Sequence, residues 1–243
     1  MRPDEYEKMF RVEDTHWWFV GKRRLVRVLL DTLPPQPQRA ILDVGCGTGG
    51  MFLLLKDYGC AYGVDASELA TGFAARRRLA QLARAALPHL PFAAGAFDLV
   101  TAFDVLYHRQ VADDLVALKE IARVLKPRGH VVVTDSALGS LRSAHDEAYQ
   151  AARRYTTGEM GDKLRRAGFT IKRLSYANFC IFPIAAPWRL LRRGVSAERG
   201  SDVRPMPVWL NALMGSVYRV EANWLRRTNL PIGTSIIALA EKI

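Results

Sequence analysis

The sequence predicts an α/β protein built on a parallel sheet, and three observations carry that expectation. The apolar run Ala40-Ile41-Leu42-Asp43-Val44 has the length and composition of a strand buried on both faces. It runs into a turn carrying Gly45, Gly47, Gly49 and Gly50, followed by Met51 to Tyr58 at helical spacing. Ala61-Tyr62-Gly63-Val64-Asp65 then reads as a second strand that ends in an acid, so strand, turn, helix and strand form one right-handed crossover unit.

Ahead of this unit, Asp4 to Val12 and Gly21 to Asp31 read as helices, the second with an apolar face made by Leu25, Val26, Val28, Leu29 and Leu30. Between them lies His16-Trp17-Trp18-Phe19, and Pro34, Pro35 and Pro37 break the chain before the first strand. After the second strand, Ser67 to Ala86 reads as mostly helical, with a third strand only poorly marked. Phe97 to Phe103 reads as a strand and Asp113 to Leu125 as a helix, stopped by Lys126-Pro127-Arg128-Gly129. His130 to Asp135 is the next strand. Thr156-Thr157-Gly158-Glu159 is a capping-box pattern opening a helix that Gly168 closes. Phe169 to Phe179 and Gly233 to Glu241 are the remaining strands.

Roughly fifty residues between those last two strands form an insertion. There Trp209, Leu210, Leu213, Met214, Val217, Tyr218, Trp224 and Leu225 fall near helical spacing, with Arg219, Arg226 and Arg227 among them. Such a helix either packs on the core or serves as a lid or interfacial segment for a greasy or anionic substrate. The expected organisation is a helical cap over 1–37, a core over 38–182 and 232–243, and the helical insertion over 183–231.

A chain of 243 residues suits one α/β domain with an elaboration. Its 49% hydrophobic and 24% charged content is that of a globular protein with a sizeable core. The net charge of +11 is uneven, because residues 144–243 hold 16 Lys+Arg against 8 Asp+Glu while residues 1–143 hold 19 against 16. That excess suits nucleic acid, anionic lipid or an acidic substrate, or is a solvated Arg-rich surface. Cys46, Cys60 and Cys180 show neither an even count nor Cys-x-x-Cys spacing, so neither a disulfide framework nor a structural metal is expected. The N-terminus lacks a leader-like apolar segment and no apolar run is long enough to span a bilayer, so a cytoplasmic protein is expected.

A glycine turn between strand and helix lets backbone approach a ligand closely, and Asp65, 20 residues after Gly45 at a strand end, can accept from two ribose hydroxyls. These features alone also fit a dinucleotide site, since Gly45, Gly47 and Gly50 satisfy Gly-x-Gly-x-x-Gly. The surrounding text separates the readings. Ile41-Leu42-Asp43-Val44-Gly45-Cys46-Gly47-Thr48-Gly49 resembles the first motif of class I S-adenosylmethionine-dependent methyltransferases, and Gly63-Val64-Asp65-Ala66-Ser67 resembles their second. Leu90-Pro91-Phe92, Phe97-Asp98-Leu99-Val100 and the run Arg123 to Val133 are similar to later landmarks, in order.

The resemblance, over about residues 38–175 and the final strand, implies a Rossmann-like seven-stranded sheet, six strands parallel and the last antiparallel, with helices on both faces. It implies S-adenosylmethionine as cofactor and S-adenosylhomocysteine as product. Gly45, Cys46, Gly47 and Gly49, with Asp43 before them, would then line the cofactor. Asp65 would hold its ribose, and Ala66, Ala86 and Phe103 would flank it. One departure stands out: where the family often places an acid for the adenine amino group, this chain has Ala85-Ala86-Leu87. The elements His16-Trp17-Trp18-Phe19 and Leu230-Pro231-Ile232-Gly233-Thr234-Ser235 resemble a bacterial small-molecule subgroup whose N-terminal helices cover the cofactor. This implies contacts from Trp18 and from an arginine such as Arg23 or Arg24.

Two histidines on loops at strand carboxyl ends, His108 and His145, are candidate general bases for a nucleophile that must lose a proton; each has a structural reading beside it. No metal-ligand spacing stands out. The expected reaction is methyl transfer to an oxygen or nitrogen of a small metabolite, hydrophobic or anionic. The alternative is a nucleic-acid-directed methyltransferase or binding protein, motivated by the basic C-terminal part. No nucleic-acid module is recognisable, so a small-molecule acceptor is expected. Peripheral contact of the basic insertion with an anionic membrane is a further expectation, motivated by Trp188, Trp209 and Trp224 and their basic neighbours.

Overall fold

Seven strands form one sheet: β1 (Ala40–Val44), β2 (Cys60–Asp65), β3 (Leu82–Arg84), β4 (Phe97–Phe103), β5 (Leu125–Ser136), β6 (Phe169–Ala177) and β7 (Ser235–Lys242). The computed structural model describes residues 3–77, 81–142, 146–147, 149–191 and 206–243. The strand order is β3-β2-β1-β4-β5-β7-β6, and β7 runs antiparallel to both neighbours while the remaining pairings are parallel. The seven-stranded expectation therefore holds. Chain order reverses between β1 and β4, and the crevice outside the carboxyl ends of those strands is where open α/β sheets take ligands.

The helices are α1 (Pro3–Val12), α2 (Trp17–Leu30), α3 (Phe52–Leu55), α4 (Glu68–Arg76), α5 (Asp114–Val124), α6 (Thr157–Arg166), α7 (Phe182–Leu191) and α8 (Val208–Arg227). Both sheet faces are covered, which is why the central strands read as unbroken apolar runs. Ile41, Leu99, Val132 and Leu239 pack under α2 and α8. Their neighbours Leu42, Val100, Val131 and Val133 point the other way, toward α5 and α6. Fully burying a side chain such as Leu42 stabilises the fold by about 2 kcal/mol.

The insertion helix α8 is tied into the core. A Cβ on Gly21 would fall 2.4 Å from the Tyr218 ring, so glycine is what lets α2 and α8 approach. Glu221, buried in α8, accepts from the backbone N–H of Asn178 at 2.6 Å and of Cys180 at 3.0 Å, at the end of β6.

Three expectations need correction. Residues 67–86 are not one mostly helical stretch: α4 stops at Arg76, and Leu82–Arg84 pairs with β2 as a three-residue edge strand, whose partly exposed side chains give no apolar signal. The helix read over Met51 to Tyr58 shrinks to Phe52–Leu55, because the chain must return to the sheet at Cys60, whose N–H bonds Arg39 O at 2.9 Å. The helix does stop before Lys126 to Gly129 as read, but the next strand is longer than His130 to Asp135. Strand β5 begins at Leu125, directly after α5, and the pairing with β4 jumps from Leu125 to His130 with Arg128 at φ 61°.

The capping box forms as read: Thr156 Oγ1 accepts from Glu159 N at 3.2 Å and Glu159 accepts from Thr156 N at 2.7 Å.

Candidate active site

A crevice of about 750 Å³ opens at the carboxyl ends of β1, β2 and β4. Its floor is the glycine turn. Gly45, Gly47 and Gly49 have φ of 70°, 55° and 85°, a region L side chains rarely adopt. The turn is held to the next strand by Gly45 N and Cys46 N, which donate to Val64 O at 2.8 and 3.0 Å. At Gly45 space is lacking too, since a Cβ would lie 2.4 Å from Val105 Cγ2.

Asp65, at the tip of β2, sits beside this turn. Its Oδ2 accepts from Gly47 N at 2.9 Å and its Oδ1 from Ser67 N at 2.8 Å, which fixes the carboxylate plane. Burial raises its pKa, and those backbone donors oppose the shift. A carboxylate has about four lone-pair sites, so the backbone donors leave acceptor capacity for a ligand hydroxyl. Asp43, wholly buried, accepts from the Thr101 hydroxyl at 2.7 Å, and burial pushes its carboxyl up to about 7. Cys46 is buried and burial raises its thiol, which makes it an inert lining group.

The N-terminal segment closes the crevice. His16 caps α2 by accepting from Trp18 N at 3.3 Å; Trp17 packs on Tyr218 with ring centroids 5.8 Å apart, and Trp18 lines the crevice. Glu13 accepts from Thr48 Oγ1 at 2.5 Å and pairs with Arg77 at 2.8 Å, while Arg77 Nε donates to Thr48 O at 2.8 Å. The cap and α4 therefore grip the glycine turn together. Lys22 forms a short ion pair with Asp104, which follows β4 at φ 59°, and stands 5.9 Å from the Phe103 ring centre.

The structure brings the expected cofactor residues together: Asp43, Gly45, Cys46, Gly47, Asp65, Ala66, Ala86, Phe103, Trp18 and Arg23 all line the crevice. Gly49 shapes the turn without lining it. Arg23 spends its guanidinium on the carbonyls of Glu13, Asp14 and Gly50 at 3.0, 2.9 and 3.4 Å, bracing the cap, and Arg24 reaches Gly215 O on α8. His108 lines the crevice; His145 lies outside the described residues. Glu13, Lys22, Arg77 and Asp104 were missed by sequence reasoning. Only the fold brings residues 13, 48 and 77 together, and no local pattern marks them.

His108 Nδ1 accepts from Gln110 N at 3.2 Å, and burial drives its pKa down to about 4. The ring is therefore neutral at pH 7 and carries its proton on Nε2. Tyr107 and Val111 also line the crevice, as do Ile181, Ala185, Trp188 and Arg189 of the α7 segment.

The profile of the methyltransferase domain family matches residues 42–133, the segment that holds the glycine turn, Asp65 and β4. Residues 42–133 form a methyltransferase domain. It is 37% identical over 113 residues to the demethylmenaquinone methyltransferase of Beutenbergia cavernae, covering 45% of each protein. It is 39% identical over 112 residues to the 2-methyl-6-phytyl-1,4-hydroquinone methyltransferase of Synechocystis sp., covering 44% of this chain and 34% of that one. The chain spans about half the length of the curated relatives it matches. A solved structure from Thermotoga maritima, described as a possible histamine N-methyltransferase, aligns over 99% of this chain and 96% of its own at 20% identity, with a TM-score of 0.60. That likeness establishes the shared fold.

Proposed function

We propose that this chain transfers a methyl group from S-adenosylmethionine to an oxygen or nitrogen of a small metabolite. The observation that carries the reading is the pairing of Asp65 with the glycine turn. A carboxylate oriented by Gly47 N and Ser67 N keeps acceptor capacity beside a backbone left bare at Gly45 and Gly47. A nucleoside fits there on size as well, since crevices of about 300–1,000 Å³ hold ligands of this kind.

In this reading Asp65 holds the ribose hydroxyls and Ala86 and Leu87 flank the adenine. No side-chain acid meets the adenine amino group, because the matching stretch is Ala85-Ala86-Leu87. The turn from Gly45 to Gly47 lies along the methionine portion. The bound cofactor supplies an electrophilic methyl on a sulfonium. What the chain adds is alignment of the acceptor and exclusion of water. Trp18 from the cap and Trp188 from α7 both line the crevice.

In this reading His108 lines the acceptor side as a neutral ring: its Nδ1 is engaged with Gln110 N, so removal of a proton through Nε2 requires exchange to the other tautomer. His145 is the remaining candidate for proton removal. The named relatives favour a small acceptor over nucleic acid: one acts on demethylmenaquinone and another on a phytylated hydroquinone, as their names state.

The test is incubation of the chain with methyl-labelled S-adenosylmethionine and a panel of phenols, quinols and amines. Transfer of label to a member of the panel, with S-adenosylhomocysteine formed in equal amount, is the expected result. S-adenosylmethionine left intact across every class of acceptor sinks the reading.

A further inference from the structure

The insertion helix α8 shows two unlike faces. Tyr218, Glu221, Ala222 and Leu225 are buried against the core, whereas Trp209, Leu213, Val220 and Trp224 are 68%, 54%, 59% and 49% exposed. At 100° per residue those four side chains fall within a stripe about 60° wide, running nearly the whole helix. The cations lie along one side and at the C-terminal end of the stripe: Arg219, Arg226 and Arg227 are exposed, and the helix's only carboxylate, Glu221, is turned inward and bound to backbone N–H groups.

The stripe is continuous with the rim of the crevice. Trp224 packs edge-on against Phe179 at 5.4 Å, and the chain from Phe179 enters α7, where Ile181, Ala185, Trp188 and Arg189 line the crevice. The outer side of α7 is also apolar and open, with Ile184 at 78% and Leu191 at 82% exposure, and it holds no acid. Among the described residues no helix is long and apolar enough to cross a membrane.

We infer that the α7 and α8 surface docks on an anionic bilayer and sets the crevice mouth against it. Indole rings and aliphatic side chains beside arginines match the boundary between acyl chains and negatively charged headgroups. A second copy of this chain is a poor occupant, because apposed α8 stripes would bring Arg219, Arg226 and Arg227 of both copies together with no exposed carboxylate on either helix. Charge complementarity therefore selects the lipid surface. The inference stands on exposure and charge and does not depend on the methyl-transfer reading.

The experiment is flotation of the intact chain with phosphatidylcholine vesicles and with vesicles containing phosphatidylglycerol. Binding to the anionic vesicles at least about tenfold stronger than to the neutral ones, weakening with added salt, is expected. Trp209→Ser with Leu213→Ser lowers that binding by about tenfold or more, and Arg219→Gln with Arg226→Gln and Arg227→Gln brings it to the level of neutral vesicles. Circular dichroism confirms that both variants keep the fold of the parent chain. Equal binding to the two kinds of vesicle overturns the proposal, as does binding unchanged in both folded variants. A concentration-dependent dimer abolished by Trp209→Ser, with no flotation of the parent chain, overturns it as well.

Discussion

The carboxylate of Glu13 accepts from the hydroxyl of Thr48 at 2.5 Å, which places the end of α1 directly on the glycine turn. The same carboxylate pairs with Arg77, and a Cβ on Gly50 would lie 2.2 Å from its Oε2, so the cap rests on the turn with no intervening layer. Burial raises the pKa of Glu13 and its Thr48 and Arg77 partners oppose the rise. Removing this carboxylate leaves a buried hydroxyl and a largely buried guanidinium short of a partner. Glu13→Ala is expected to cost about 2 kcal/mol in urea unfolding, and Glu13→Gln less, because an amide oxygen still serves Thr48. A change below experimental error in both variants would contradict this coupling.

At the floor of the crevice, Gly45→Ala meets two penalties: a φ of 70° and a Cβ 2.4 Å from Val105 Cγ2. S-adenosylhomocysteine affinity should fall by about tenfold or more. Val105→Ala in the same chain removes the collision and leaves the φ penalty, so it should restore part of the loss. Full restoration would show that φ at Gly45 is immaterial.

Stability should depend on pH through Asp43. Its folded pKa is raised to about 7 by burial, above that of an unfolded aspartate at about 4. Between these values the folded chain holds the proton the unfolded chain has lost, so stability falls as pH rises through the window and levels off above about 7. Asp43→Asn, which keeps an oxygen for the Thr101 hydroxyl, should flatten that part of the profile. Urea midpoints across the window check it; an identical slope in the variant would contradict the assignment.

The His108 ring, with its pKa down to about 4, is neutral across the physiological range. The rate of methyl transfer should therefore show no acidic limb near about 6.5, where an ordinary histidine titrates. His108→Asn, which still accepts from Gln110 N, should retain activity to within about tenfold. A loss of about a hundredfold or more would mark the ring as the base.

Much of the site was legible because it is local. Asp43 to Gly49 is one strand end and turn, and Asp65 is the tip of the next strand, so their juxtaposition follows from a single crossover unit. What was illegible is what the fold brings together from afar. The Glu13, Thr48 and Arg77 cluster joins the cap, the turn and the end of α4, and Lys22 meets Asp104 across 82 residues. The edge strand Leu82–Arg84 escaped for another reason: three partly exposed residues carry neither an alternation nor an apolar run. The arginines beside His16-Trp17-Trp18-Phe19 looked like partners for a ligand carboxylate, yet Arg23 and Arg24 reach backbone carbonyls.

Calorimetric titration of S-adenosylhomocysteine into the parent chain and into Asp65→Ala tests the central claim most directly. The account predicts saturable one-to-one binding to the parent chain, weakened by about a hundredfold in the variant while its circular dichroism stays the same. Absence of binding to the parent chain, or equal affinity in the two, would contradict it.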